Sequence, residues 1–471
     1  MSETNQESVI SQVVANGLCV GCGLCAGALP TVLCMRTDEY GARLPELVAP
    51  ETPGWGPQSL QVCPFADHEE NEDTIAAGLY GDIEGIEHRP ETGFYLQCFA
   101  GHVTDEATRM TATSGGLVTW LAGELLSGGQ VDAVACVGPA EQEPDLFAFR
   151  LVTDRADLAR CRKSRYYPVE MSEIIGRIKT FEGKVLFIAL PCFLKGLHLA
   201  MKVDPDLRDR IGYTIGLVCG HLKTKKYAAY LARHCGVDES QIRTVDFRHK
   251  VAGKPAHKYA FSVSLRDTDE HREVLMQDVW AGSWGNNLFM LEACECCDDV
   301  FAETADVVIG DAWLPEYVRD SRGTSLVVCR KPEMLALLEK GTRDGRVSLE
   351  PLPIEKVIRS QSGALRQRRE GLQYRLHRAA QRRQWRPRKR VSPDPRAGSW
   401  LFRCLQRLRL KLRRLSQEAF LAQEARDGLD LFKHRLRLWI FLGSLINLVR
   451  HAPNALKKRL RRFNPSQRAS S

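Results

Sequence analysis

Cys294 and Cys297 form a C-x2-C pair within LEACECCDDVFAETADVVIGDAW, and the apolar run Val307-Val308-Ile309 that follows ends in Gly310-Asp311. Two thiolates three residues apart can face one point in space, as zinc or an iron–sulfur cluster requires. A Gly-Asp closing a short β-branched run marks a strand ending at the edge where α/β sheets place their sites. Alone, this C-x2-C is half a metal site.

A second cysteine group lies near the N-terminus, in CVGCGLCAGALP. Cys19, Cys22 and Cys25 form C-x2-C-x2-C, with Pro30 where the bacterial ferredoxin run C-x2-C-x2-C-x3-C-P has its proline. Leu29 occupies the fourth cysteine position of that run, and the remote Cys-Pro that completes such a site exists as Cys63-Pro64. The pattern predicts one [4Fe-4S] cluster on Cys19, Cys22, Cys25 and Cys63, without the second ferredoxin cluster. Gly21 and Gly23 let the loop curl so that its amides point at sulfur. A zinc site is the competing reading, but zinc motifs usually pair two separate knuckles. Cys34 is the alternative fourth ligand; it lies in the strand-like VLCMR.

These thiols need a scaffold. Lys184 to Leu190 reads as a buried strand that ends in Pro191-Cys192, and Gly212 to Val218 as another that ends in Cys219-Gly220-His221. Helical patterns alternating with continuous apolar strands predict an α/β body with parallel strands. If the two strands are neighbours, Cys192 and Cys219 emerge on one edge and join Cys294 and Cys297 in a second four-thiol set. Thr113-Ser114-Gly115-Gly116 precedes a helical pattern (Leu117, Leu121, Leu125), and a helix N-terminus of small residues offers amides to a phosphate. Simple capping by Thr113 or Ser114 explains the same residues. Lys163-Ser164-Arg165-Tyr166 and Asp246 to Lys250 interleave cations with aromatics, which suits a dinucleotide carrying a flat ring and equally a solvated basic loop.

Taken in order, SGG-helix-VDAV, KSRYY, VLFIALPC, GLVCGH, FRHK, C-x2-C-DD and ADVVIGDAW resemble the coenzyme F420 hydrogenase/dehydrogenase beta-subunit family, over about residues 15 to 335. That family includes 7-hydroxymethyl chlorophyll a reductase. The resemblance implies an iron–sulfur flavoprotein oxidoreductase that passes electrons between a ferredoxin-like or deazaflavin partner and a substrate. By position it makes Cys192, Cys219, Cys294 and Cys297 the ligands of a second [4Fe-4S] cluster beside FAD. It makes Thr113, Ser114, Gly115, Gly116, Lys163, Ser164, Arg165 and Tyr166 parts of the FAD site, with Asp311 near it. Cys296 is an addition to the family pattern, and no catalytic role is assigned to His221.

Sixteen cysteines, with no secretory pattern in MSETNQESVI, point to metal or redox work and to cytoplasmic residence. The net charge of +8 conceals an imbalance: residues 359–471 hold 30 Lys and Arg against 6 Asp and Glu. The remainder is acidic. The expected fold is an α/β body (92–345) with an N-terminal ferredoxin-like cluster module (1–75), an Arg-rich linker (346–398) and a basic amphipathic helical tail (399–471). Leu401, Leu405, Leu408, Leu412 and Leu415 form the stripe of one tail helix. The uncharged run Leu438–Val449 in the next is too short for a bilayer, which needs about 20 residues. Such helices suit an anionic membrane surface, peripheral at the inner face, or a partner protein. No base-reading motif supports specific nucleic-acid binding. The contrasting expectation is a non-catalytic metal-stabilised protein of surface-polysaccharide assembly.

Overall fold

The apolar runs become the centre of an eight-stranded sheet in the computed structural model, which describes residues 7–266, 268–424 and 428–451. Two short hairpins come first: β1 (Leu33–Thr37) with β2 (Arg43–Leu47), and β3 (Glu87–Arg89) with β4 (Gly93–Tyr95). The body follows with β5 (Gln97–Val103), β6 (Ala133–Pro139), β7 (Phe147–Val152), β8 (Val185–Ala189) and β9 (Ile211–Leu217). An antiparallel three-stranded sheet of β10 (Ile242–His249), β11 (Ala260–Leu265) and β12 (His271–Leu275) is inserted next. The main sheet is completed by β13 (Val307–Asp311), β14 (Ser325–Cys329) and β15 (Val347–Pro351), in the order β15-β5-β14-β13-β9-β8-β6-β7.

The expectation of parallel strands holds for the centre only. β6, β8, β9 and β13 run parallel, whereas β7, β14, β5 and β15 pair antiparallel on the flanks, so the sheet is mixed. The centre is buried on both faces, as parallel strands require: Val185 and Phe187 enter one core while Leu186 and Ile188 enter the other. β8 and β9 are direct neighbours, so their C-terminal ends open at the same edge.

The N-terminal segment packs on this edge. Its cysteine loop runs into the short helix Leu24–Ala28, and Met171 N–H donates to the Cys22 carbonyl at 2.8 Å. Gly196, in the helix Pro191–Val203, admits Leu24: a Cβ there would stand 2.4 Å from Leu24 Cδ1.

Residues 346–398 are not a linker. They contain β15 and the helices Ile354–Ser360, Ser362–Arg368 and Glu370–Gln381, and Arg368 and Arg375 are buried. The polar composition misleads because these arginines answer acidic and carbonyl groups of the body rather than solvent. The helix Trp400–Glu424 likewise turns Leu405, Leu408 and Leu412 into the core, as its leucine spacing predicts, and inserts Phe420 among Tyr230, Phe289 and Phe432. That stripe is therefore covered. The helix Asp430–His451 differs, leaving Leu438, Phe441, Leu445 and Leu448 exposed. Among the described residues no helix is long and apolar enough to cross a membrane. The rest of the tail, 425–427 and 452–471, lies outside the described residues.

Candidate functional site

The N-terminal thiols converge. Cys19, Cys22, Cys25 and Cys63 line one small void with Phe65 and Met35. Gly21 and Gly23 take φ of +68° and +78°, and a Cβ on Gly21 would stand 2.7 Å from the Arg43 carbonyl oxygen, so the curl is closed to larger residues. Gly21 N–H donates to Cys19 Sγ at 3.3 Å, and the amides of Leu24, Ala26, Phe65 and Ala66 lie near the sulfurs of Cys22, Cys25 and Cys63, where they favour the thiolate. Burial pushes Cys19 up to about 12 and Cys63 up to about 11. Cys34 sits in β1 and lines no part of this void, which removes it as the alternative fourth thiol.

The second set also assembles. Cys192 lies in the first turn of the helix after β8, Cys219 just past β9, and Cys294 and Cys297 at the short helical turn Glu292–Cys296. Leu222 N–H donates to Cys294 Sγ at 3.2 Å. Burial raises the Cys192 thiol, and the nearby thiols of Cys297, Cys219 and Cys294 raise it further. All four also act on one cation. Burial works against the charge of Arg368, yet Cys297, Cys219, Cys294 and Cys192 outweigh it and hold the guanidinium above its ordinary value. Arg368 donates to the carbonyls of Cys294 (3.2 Å) and Gly220 (2.6 Å). Cys296 is buried and stands close to Arg386, Lys389 and Arg375. Among the described residues no three His, Cys, Asp or Glu side chains gather as ligands of a single ion.

The acidic loop after Cys297 is matched by the tail. Arg390 holds Glu303 in two contacts (2.6 and 2.9 Å), Asp73 at 2.7 Å and Asp298 at 3.5 Å, while Lys389 stands 3.9 Å from Asp298. Burial opposes the charge on Asp298, but Lys389 and Arg390 hold its carboxyl well below the usual range. Burial and the Glu303 carboxylate instead push Asp299 up to about 7. Arg375 and Arg413 complete the cover, bonding the Glu295 carbonyl (2.9 Å) and carboxylate (2.8 Å).

Beside the second set opens a cavity of about 640 Å³. Thr113, Ser114, Gly116, Lys163, Ser164, Arg165, Tyr166 and Asp311 all line it, and so does Cys219. Ser164 N–H donates to Thr113 Oγ1 at 2.7 Å, joining two segments far apart in sequence. Gly116, at φ +85°, caps the helix Leu117–Ser127, whose first residues face the cavity. Gly115 does not line it: its N–H donates to Ser325 Oγ at 3.0 Å, and a Cβ would strike the Gly101 carbonyl oxygen at 2.4 Å. It therefore serves the turn, not an anion. Lys163 adopts φ +85° and pairs with Asp246 at 2.9 Å. Arg248 and Asp311 form a two-point ion pair at 3.1 and 3.2 Å, a geometry that fixes both side chains. Arg248 also stacks on Tyr259 and Trp313, and Trp284 lies between Tyr166 and His221.

The sequence singles out neither Trp284, Tyr259 and Gln361 nor the buried side chains of Arg368, Lys389 and Arg390. The FRHK motif pointed to Arg248 without giving it a role. Four buried side-chain nitrogens on the cavity wall find no hydrogen-bond partner among the described residues: Nε of Arg162, Arg165 and Arg248, and Nε2 of His221. Buried polar groups are normally paired, so a polar ligand is the natural complement.

Two sequence models match, coenzyme F420 hydrogenase/dehydrogenase beta subunit N-term over residues 98–176 and the same subunit's C terminus over residues 182–355. The chain belongs to this family. Membership implies iron–sulfur redox chemistry and an oxidoreductase. Among solved structures the chain is similar to one from the F420-reducing [NiFe] hydrogenase complex of Methanosarcina barkeri, at 19% identity and TM-score 0.46, covering 60% of this chain and 92% of that one. No curated protein matches. The matched segments end at residue 355, so Arg368, Lys389 and Arg390 belong to a C-terminal part beyond them.

Proposed function

We propose that this chain is an FAD- and [4Fe-4S]-dependent oxidoreductase. One cluster would be held by Cys19, Cys22, Cys25 and Cys63, the other by Cys192, Cys219, Cys294 and Cys297, with FAD in the 640 Å³ cavity. The observation that carries the reading is Cys219, which belongs to the second thiol set and lines the cavity as well. The residues fit the groups. A cubane spreads its four thiolates wider than zinc, bound at about 2.3 Å, allows. The cavity volume falls within the roughly 300–1,000 Å³ of cofactor pockets.

A bound flavin supplies the exchange between one-electron and two-electron steps. The chain's own residues bind and orient. The Gly116-capped helix end offers amides and its dipole to phosphate, with Ser114 alongside. Lys163 is engaged by Asp246 and Arg248 by Asp311, which leaves Arg165 to meet negative charge in the cavity, with the unpaired Nε of Arg248 beside it. Tyr166, Trp284 and Trp313 provide flat apolar walls against a ring.

The finer organisation follows the same reading: residues 1–75 as a cluster module, 92–345 as the FAD and cluster body, and a cytoplasmic location. The partner is a ferredoxin-like or deazaflavin electron carrier. The exposed face of Asp430–His451 supports docking on an anionic membrane surface. Extraction of the anaerobically purified protein, with chromatographic identification of the released flavin, tests the central assignment. Stoichiometric FAD is expected, reduced several-fold in Arg248→Met. Protein that carries no flavin after incubation with FAD contradicts it.

A further inference from the structure

A third pair of cysteines lines the same cavity and belongs to neither four-thiol set. Cys136 lies in β6, and Cys161 follows the helix Arg155–Arg160. Their thiols are close enough to interact directly. The approach depends on a glycine. Residues i and i+2 of a strand share a face, so position 138 lies beside Cys136, and a Cβ on Gly138 would stand 2.6 Å from Cys161 Sγ. The missing side chain is the hollow in which the Cys161 sulfur rests against β6.

The surroundings differentiate the two thiols. Cys136 is buried, whereas Cys161 is half-buried at the cavity wall. Arg150, opposite Cys136 on β7, and Arg165 bring positive charge to Cys161. The interaction with Cys136 lowers the Cys161 thiol, burial opposes this, and the two arginines lower it further. The same interaction and burial push Cys136 well up. A half-buried thiol at a cavity wall, flanked by two arginines and backed across a glycine hollow by a buried second thiol, is the arrangement of a dithiol that cycles through a disulfide.

We propose that Cys136 and Cys161 form a redox-active dithiol–disulfide couple within the cavity, exchanging two electrons with the flavin and reducing small disulfides. This deepens the FAD reading and rests on it for the source of electrons. The Cys161 thiolate attacks one sulfur of a disulfide, forming a mixed disulfide and releasing one thiolate. Cys136 then loses its proton, attacks the Cys161 sulfur and expels the second thiolate, which leaves a Cys136–Cys161 bond. The substrate disulfide has gained two electrons, and the dithiol has lost two. Two electrons from reduced flavin and two protons restore both thiols.

The test is an anaerobic titration of the purified holoprotein in glutathione buffers of graded potential, followed by differential alkylation and peptide mass spectrometry. The expected result is a Cys136–Cys161 linked peptide that appears with a single two-electron midpoint and is absent in Cys161→Ser. In that variant Cys136 stays reduced. Two results overturn the proposal: both thiols remaining alkylatable across the whole range, or Cys161 stopping as a glutathione adduct while Cys136 stays free. A second arm reduces the flavin photochemically in the oxidised protein. Loss of the linked peptide with one-to-one return of flavin absorbance is expected, and a reduced flavin coexisting with an intact link overturns the electron exchange. Protein without flavin fails the FAD reading instead, and is recognised by its spectrum before the titration begins.

Discussion

The Cys22 and Cys192 thiols lie close enough for Cys22 to disfavour ionisation of Cys192, although 169 residues separate them in sequence and they belong to different four-thiol sets. The packing explains the approach: Leu24 fills the space over Gly196, in the helix whose first turn carries Cys192. The second set reaches the cavity through Cys219. The two thiol sets and the cavity thus adjoin one another, as the proposed transfer of single electrons to a two-electron site requires.

Arg368 should set the potential of the second cluster. A positive charge several ångströms away at an effective dielectric of about 20 is worth about 2–4 kcal/mol. At about 59 mV per tenfold change for one electron, Arg368→Leu is expected to lower the midpoint by about 90–170 mV. Arg368→Lys should retain most of the wild-type value. Redox titration followed by electron paramagnetic resonance measures both, and equal midpoints in wild type and Arg368→Leu would remove this role.

Asp311→Asn leaves the buried Arg248 without its counter-charge. Breaking such a pair costs about 3–5 kcal/mol, so a lower Tm and loss of bound flavin are expected together. Arg248→Met with Asp311→Asn should recover part of the Tm and none of the flavin. Calorimetry and flavin extraction separate these outcomes.

How far the sequence speaks depends on the kind of interaction. Cys192 and Cys219 are legible because a continuous apolar run identifies each strand and the thiol simply follows its end. The arginines of residues 359–398 are not, because burial of Arg368 or Arg390 is decided by carbonyls and carboxylates 74 to 317 residues away, which leave no local periodicity. Composition then reads as linker what is the cover of a site. Gly115 illustrates the opposite failure. A small residue before a helix reads as an anion seat, yet its amide is taken by Ser325 Oγ. The antiparallel flanks β14, β5 and β15 escape notice as well, since their pairing joins segments from both ends of the body.

The exposed face of Asp430–His451 gives a surface prediction. Replacing Leu438, Phe441, Leu445 and Leu448 by serine should leave the unfolding free energy within about 2 kcal/mol of wild type, since exposed substitutions usually cost about 0.5 kcal/mol or less each. Cosedimentation with vesicles containing phosphatidylserine should drop several-fold. Unchanged cosedimentation would assign this face to something other than a membrane.

Acid should loosen the turn next to the cavity. Hydrogen bonding from Arg322 is the main reason the Asp320 carboxyl falls to about 2 from an ordinary 3.8, and Arg109, which also bonds the Gly323 carbonyl, assists. A depressed folded-state value means that this contribution is complete above about pH 4 and is lost as pH falls toward 2. Asp320→Asn should flatten the stability profile across that window, as followed by urea unfolding at each pH.

The most direct measurement is metal and flavin quantitation on anaerobically purified protein, combined with electron paramagnetic resonance after reduction. Two [4Fe-4S] clusters predict about eight irons and one FAD per chain, with spin–spin broadening between neighbouring clusters. Cys19→Ser and Cys192→Ser should each remove about half of the iron and abolish that broadening. Zinc in place of iron, persisting after cluster reconstitution and without flavin, would contradict the account.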